Sequence, residues 1–286
     1  MRIEVNGARI FFDVEGAKLV PEGTTMREKP TLLLLHGGPG FDHSGFKPEF
    51  SSFADIAQVI YLDHHGNGRS DREPHERWNL PQWGDDIAEF CRLLEIDKPI
   101  VLGQSFGGMV AMSYATRHPE HPGKLILSST AANMQRRMER SIAKFTERGG
   151  ETIGEMARRL YNGAIDDPDF AEQWLTQAMP VYNTRPARDP DAAARAVMGF
   201  DVLKHFFRRA GEIWAFDMLD DLSRVRCPTL VLGGEEDPIT PIECQEDIAA
   251  AIPSELVSYQ RFPGAGHGVF RDDAAAFDTI RAFILS

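Results

Sequence analysis

The sequence predicts an α/β protein: a mostly parallel sheet of eight strands flanked by helices, with a block of helices inserted between two of the strands. Three observations carry this expectation. Short, almost wholly apolar runs recur and end near glycine: 31–35 before Gly37-Gly38, 59–62 before Gly66, and 99–102 before Gly103. Segments with helical apolar spacing fall between such runs. From 129 to 221 the alternation stops, and the chain reads as helix with no convincing strand. Runs that are apolar at nearly every position fit strands buried on both faces, as in a parallel sheet covered by helices.

Each element follows from its local pattern. Residues 3–5 and 9–14 look like strands, and Asn6-Gly7 between them predicts a tight hairpin, because both residues tolerate positive φ. Residues 22–29 are polar and read as a loop. Residues 31–35, 59–62, 99–102, 125–127, 229–232 and 257–259 complete the eight strands. Residues 83–94 carry Ile87, Phe90, Leu93 and Leu94 at helical spacing. Residues 106–117 are small and apolar, as befits a buried helix. Residues 241–251 and 273–285 are the last two helices, with Asp272 or Asp273 placed to cap the second. The expected organisation is a core of 1–128 and 222–286 with a helical cap of 129–221. The cap holds paired arginines at 136–137, 158–159 and 208–209, with Met, Phe and Trp between them.

Bulk properties narrow the function. The 286 residues approach the upper size of a single core. The net charge of −12 is wrong for a surface that must neutralise phosphates, so nucleic acid is not an expected partner; only local patches such as Arg136-Arg137 run against it. Cys91, Cys227 and Cys244 are far apart, odd in number and in no CxxC pattern, which predicts neither a disulfide framework nor a zinc site. The N-terminus lacks the features of a secretory signal, and no apolar stretch nears the length of a membrane span. The expected location is cytoplasmic, with no membrane partner and the oligomeric state left open.

The chemistry is concentrated in four places. Gly103-Gln104-Ser105-Phe106-Gly107 matches G-x-S-x-G between an apolar strand and an apolar helix, the setting of a nucleophile elbow. Such a turn lifts the Ser105 hydroxyl above the sheet edge onto a helix N-terminus, whose dipole favours negative charge. His36-Gly37-Gly38-Pro39-Gly40 follows a strand, and its glycines allow backbone N–H groups to approach an oxyanion; the N–H groups of Gly38 and Phe106 are the expected donors. His36 itself reads as structural, hydrogen-bonded near that loop. Asp237 lies past the strand at 229–232 and is the expected acid that fixes the histidine tautomer, with Glu235 and Glu236 as competitors. His267, among nine histidines, is the one that follows this acid in a glycine loop after a strand, which makes it the general base. The stretch 63–71 contains adjacent His64 and His65. Neighbouring side chains rarely converge on one ion, so it reads as a structural loop, with Asp63 and Arg69 bracing the floor of the site. No metal and no organic cofactor is expected.

In HGGPG, DHHGNGRSD, GQSFGG and the Asp…His ending, the chain resembles the proline iminopeptidase family of the α/β-hydrolase superfamily. The resemblance spans the core of about 190 residues and is weak through the cap. It implies the α/β-hydrolase fold, whose triad runs in the order Ser105, Asp237, His267, and it implies the roles given above for Gly38 and Phe106. It also implies a grip on the substrate's free amine by glutamates from the cap and, in some members, from the position after the triad aspartate. Here that position is Pro238, and the cap run 204–209 is Lys-His-Phe-Phe-Arg-Arg. Glu212, Asp217 and Glu243 are the acids left to substitute.

The expected reaction is therefore acyl transfer from an ester, amide or lactone of a small molecule or short peptide through an acyl-enzyme. Candidate substrate contacts are Gly37 and Gln104 from the core and Phe206, Glu212, Trp214 and Phe216 from the cap, with Met134 and Phe200 as further apolar liners. The rival readings are a proline iminopeptidase-type aminopeptidase, a carbon–carbon bond hydrolase or cofactor-free lyase on the same triad, and a non-enzymatic small-ligand binder. Serine at 105 disfavours dehalogenases and epoxide hydrolases, which place aspartate there.

Overall fold

The computed structural model describes residues 1–164, 167–189, 191–208 and 211–286. Strands β1 (Arg2–Val5) and β2 (Ala8–Glu15) meet at Asn6-Gly7, where φ is 49° and 85°, so the expected hairpin forms. Strands β3 (Leu19–Glu22) and β4 (Thr25–Glu28) form a separate two-stranded ribbon. This corrects the reading of 22–29 as a loop. All four β4 side chains are exposed, so no apolar alternation marks the strand. Then come β5 (Thr31–Leu35), β6 (Gln58–Leu62), β7 (Ile100–Gln104), β8 (Lys124–Ser128), β9 (Thr229–Gly234) and β10 (Val257–Phe262).

Among the described residues eight strands make one sheet, in the order β1-β2-β6-β5-β7-β8-β9-β10. The pairs β1–β2 and β2–β6 are antiparallel and the others parallel. Alternate side chains of each strand enter different cores. Leu33, Leu35, Val101, Leu125, Leu127 and Val231 pack on α1 (Leu80–Leu93) and α2 (Phe106–Arg117). Leu32, Leu34, Ile100, Leu102, Ile126 and Leu230 face the opposite layer, with Phe46, Phe50, Phe53 and the C-terminal helix. Burying each such leucine stabilises the fold by about 1.5–3 kcal/mol. Helix α1 begins earlier than expected, because Asn79 caps it by accepting the Gln82 N–H (2.8 Å) and Pro81 fits the first turn.

Between β8 and β9 the chain forms α3 (Met134–Tyr161), broken at Gly150, then α4 (Pro168–Gln173), α5 (Ala192–Arg195) and α6 (Phe200–Phe207). The block leaves and rejoins the core at one neck. There the Met134 N–H donates to the Phe216 carbonyl (2.9 Å) and the Met218 N–H to the Ala132 carbonyl (2.8 Å). Helices α7 (Ile242–Ala251), α8 (Val269–Asp272) and α9 (Ala275–Leu285) follow β9 and β10. Asp273 accepts the Ala275 N–H (2.9 Å) at the start of α9, whereas Asp272 turns inward. All three cysteines are buried and free. Among the described residues no helix is long and apolar enough to cross a membrane.

Candidate active site

Ser105 joins β7 to α2 with φ 55° and ψ −121°, a conformation that costs a non-glycine residue about 1–3 kcal/mol. Surrounding bonds impose it. The Ser105 N–H donates to the Ser128 carbonyl (2.9 Å), and the Ser105 carbonyl accepts from the Thr130 hydroxyl (2.7 Å) and the Gly108 N–H (2.9 Å). A Cβ on Gly107 would lie 2.1 Å from the Leu35 carbonyl oxygen, and one on Gly103 would lie 2.3 Å from that of Gly107. Backbone fills both places, which is the physical reason for glycine on either side of the serine.

Asp237 and His267 converge on this turn from the loops after β9 and β10. His267 Nδ1 lies 2.8 Å from Asp237 Oδ2, and His267 Nε2 lies 3.0 Å from Ser105 Oγ. Asp237 is fully buried, and donors surround it: the Ile239 N–H (2.8 Å) and Thr240 N–H (2.9 Å) on Oδ1, and the Thr240 hydroxyl (2.7 Å) on Oδ2. Such donors offset the desolvation of a buried carboxylate. With Nδ1–H donating to Asp237, the Nε2 lone pair faces the serine hydroxyl. Ser105 and His267 stay partly open to solvent. The competing acids are engaged elsewhere, Glu235 with Arg261 (3.0 Å) and Glu236 with Lys144 (3.2 Å) and Arg148 (3.1 Å).

The HGGPG loop abuts the serine: a Cβ on Gly37 would lie 3.6 Å from Ser105 Oγ. His36 controls its peptide planes. The His64 N–H donates to His36 Nε2 (3.2 Å), so the ring proton sits on Nδ1, which donates to the Gly37 carbonyl (2.8 Å). That carbonyl and the Gly38 N–H belong to one trans peptide and point opposite ways, so fixing the first aims the second. Gly38 has φ 125°, which favours glycine. Among the described residues no hydrogen bond takes up the Gly38 or the Phe106 N–H.

Behind the loop, Asp42 accepts from Arg69 Nη1 (2.6 Å) and the Val197 N–H (3.0 Å), and Asp63 accepts from His43 Nδ1 (2.7 Å) and the Arg69 N–H (2.8 Å). Burial works to raise both carboxyls. Hydrogen bonds from Ser44, Val197 and Arg69 on Asp42, and from His43 on Asp63, outweigh it and hold them below the ordinary carboxylate range. Asp42, His43 and Asp63 lie close enough together to ligate a metal ion, but their oxygens are already matched by these donors. The Gly40 N–H donates to Asn67 Oδ1 (2.7 Å), which ties the two loops together.

The expected contacts from the inserted block have the following surroundings. Phe206 is fully buried, with its ring 4.9 Å from that of Phe106 and 5.1 Å from Trp83, so it packs against the residue that follows Ser105. Phe216 and Met134 are buried at the neck, Phe200 is 49% exposed, and Trp214 Nε1 donates to the Arg208 carbonyl (2.7 Å). Glu212 spends both oxygens on the Leu80 N–H (3.1 Å each) at the start of α1, and burial raises its pKa against that bond. Glu212 also borders an open depression of about 580 Å³ with His75, Trp78, His205 and Arg208, which none of Ser105, His267 and Asp237 lines. Asp217 and Glu243 are exposed. Arg209 lies outside the described residues. Sequence reading missed residues 182–185, which lie on the His267 loop; the His267 N–H donates to the Tyr182 carbonyl (2.8 Å). A short polar run carries no periodic signal of such a contact.

A profile described as the α/β hydrolase fold matches residues 30–274. A proline iminopeptidase of Pestalotiopsis fici is 30% identical over 259 residues, covering 87% of each chain. One from Lactobacillus helveticus is 29% identical over 263 residues, covering 85% of each. The crystal structure of a proline iminopeptidase of Mycobacterium smegmatis superposes with a TM-score of 0.78 at 25% identity, covering 99% of this chain and 97% of the other.

Proposed function

The chain belongs to the α/β-hydrolase family and is proline iminopeptidase-like within it, and on that premise we propose a serine hydrolase in which Ser105 is the nucleophile, His267 the general base and Asp237 the orienting acid. The observation that carries this reading is the continuous hydrogen-bonded line from Asp237 through His267 to Ser105, 2.8 and 3.0 Å long, ending on a strained serine turn. His267 Nε2 takes the hydroxyl proton as Oγ bonds to the carbonyl carbon of an ester, amide or lactone. The carbonyl electrons move onto oxygen, between the N–H groups of Gly38 and Phe106, each worth about 3–4 kcal/mol to the transition state. The tetrahedral species collapses, and His267 returns the proton to the leaving oxygen or nitrogen. Water then repeats the sequence on the acyl-serine and releases the acid.

Residues 129–221 act as the cap over this site. We favour small esters or lactones as substrates, because Glu212, the foremost candidate to hold a substrate amine, is engaged with the start of α1. The names of the relatives favour a second reading, an aminopeptidase that releases N-terminal proline. The chemistry calls for no cofactor, and we assign the enzyme to the cytoplasm, acting on a small molecule or short peptide rather than nucleic acid or membrane.

Turnover of p-nitrophenyl esters of increasing chain length, set beside prolyl-, alanyl- and leucyl-p-nitroanilides, tests the assignment. Ester turnover with silent anilides is the expected result. Fast prolyl-anilide turnover would establish the aminopeptidase reading instead. Inertness toward both sets would favour carbon–carbon bond cleavage, a lyase or a binding protein.

A further inference from the structure

The two loops that bring groups to Ser105 are both tied to the inserted block. On the Asp237 loop, the Ser141 hydroxyl donates to the Pro238 carbonyl (2.6 Å) and Arg137 Nε to the Ile239 carbonyl (2.9 Å), both from α3. On the His267 loop, the backbone is held at two successive amides: His267 N–H by the Tyr182 carbonyl (2.8 Å) and Gly268 N–H by Asn183 Oδ1 (2.7 Å). The Thr184 hydroxyl adds a bond to the Gly264 carbonyl (2.6 Å). Asp272, 2% exposed, accepts the N–H groups of Gly266 (2.8 Å) on the loop and of Thr184 (2.9 Å) and Arg185 (3.2 Å) on the block, so one carboxylate joins both segments. Arg148 of α3 reaches the carbonyls of Val181 (3.2 Å) and Asn183 (3.4 Å) and the Glu236 carboxylate (3.1 Å), linking this segment to the acid loop.

The loop itself supplies little stiffness. Gly264, Gly266 and Gly268 alternate with the residues around His267, and glycine leaves the backbone its widest freedom. Yet the base must stay within hydrogen-bond reach of the serine, and a shift of about 1 Å in a reacting group can cost about 10²-fold in rate. The missing rigidity comes from residues 182–185.

We propose that Asn183 is a positioning residue: from the inserted block it fixes the backbone beside His267 so that Nε2 stays in reach of Ser105 Oγ, with Asp272 fastening the same two segments together. The proposal rests on the triad reading above and gives Asn183 no contact with substrate. The inserted block is then part of the catalytic framework as well as a cover over it.

Steady-state kinetics of Asn183→Ala and Asn183→Asp on a p-nitrophenyl ester, beside Ser105→Ala, test this. Asn183→Ala should lower kcat about 10–100-fold with KM within about twofold. Asn183→Asp keeps an acceptor for the Gly268 N–H and should recover most of the loss. Phosphonylation of the serine by a fluorophosphonate, which uses the same base, should slow in parallel. A folded Asn183→Ala with unchanged kcat overturns the proposal, as does a raised KM with kcat intact, which would make Asn183 a substrate contact. Should Asn183→Ala fail to fold, Thr184→Val removes only the bond to Gly264. It should lower kcat in the same sense by less, and an unchanged kcat there overturns the proposal. Full turnover in Ser105→Ala would bring down the triad reading and this inference with it. An inactive Ser105→Ala beside a fully active Asn183→Ala brings down the inference alone.

Discussion

Replacing His36 with leucine should damage the oxyanion site without touching Ser105, His267 or Asp237. The His36 ring makes two bonds, from Nδ1 to the Gly37 carbonyl (2.8 Å) and from the His64 N–H to Nε2 (3.2 Å). The first holds the peptide that carries the Gly38 N–H. Complete loss of one oxyanion donor costs about 10²–10³ in kcat. Leucine leaves the donor in place but frees its plane, so the expected loss falls below that range, at about 10–100-fold, with KM little changed. The second bond leaves the buried His64 N–H without an acceptor, which should lower stability by about 1–3 kcal/mol. Asparagine can present a side-chain N–H near the Nδ1 position, so His36→Asn should restore much of kcat while remaining less stable than the parent. The assay is ester turnover combined with a denaturant titration of each variant. A folded His36→Leu whose kcat stays within about twofold of the parent would refute the peptide-plane reasoning.

Two other outcomes follow from the same contacts. Glu212→Ala removes the carboxylate at the start of α1. It should cost about 1 kcal/mol of stability, as loss of a helix cap does, and leave ester KM unchanged; a selective rise in KM for prolyl anilides would return Glu212 to the substrate site. Burial lowers the pKa values of His36, His64 and His65 below the ordinary 6.5. The unfolded chain therefore takes up protons near pH 6.5 that the folded rings refuse. Their stabilisation is complete above that pH and declines below it, by at most about 1.4 kcal/mol per pH unit for each ring. The buried carboxyls of Asp86 and Glu212, raised by desolvation, act in the opposite sense. An NMR titration separates the groups: the C2–H signals of the three rings should titrate with midpoints below pH 6.5, and a shared midpoint at 6.5 would contradict the account.

The parts of this molecule legible in the sequence are those where several constraints coincide. Leu32–Leu35 is apolar at every position because both faces of β5 are covered, and that pattern survives any change of register. Gly103 and Gly107 are dictated by backbone atoms little more than 2 Å from where a side chain would begin, so the serine turn has almost no alternative spelling. The exposed β3–β4 ribbon lacks such a constraint and reads as loop. In the inserted block, apolar spacing marks a buried helix face without saying what buries it. Phe206 faces Trp83 and Phe106, although its pattern would serve equally well for a pocket wall. Glu212 and Asn183 accept hydrogen bonds from backbone far away in sequence, at Leu80 and Gly268, and such pairings leave no local trace.

Identification of the residue that becomes covalently modified tests the central claim most directly. The protein is incubated with a fluorophosphonate, digested, and the adduct located by mass spectrometry, with Ser105→Ala treated in parallel. The account predicts one adduct per chain, on Ser105, absent from Ser105→Ala, whose ester kcat should fall by about 10⁴–10⁶. Modification at another residue, or ester turnover by Ser105→Ala at the parent rate, would contradict it.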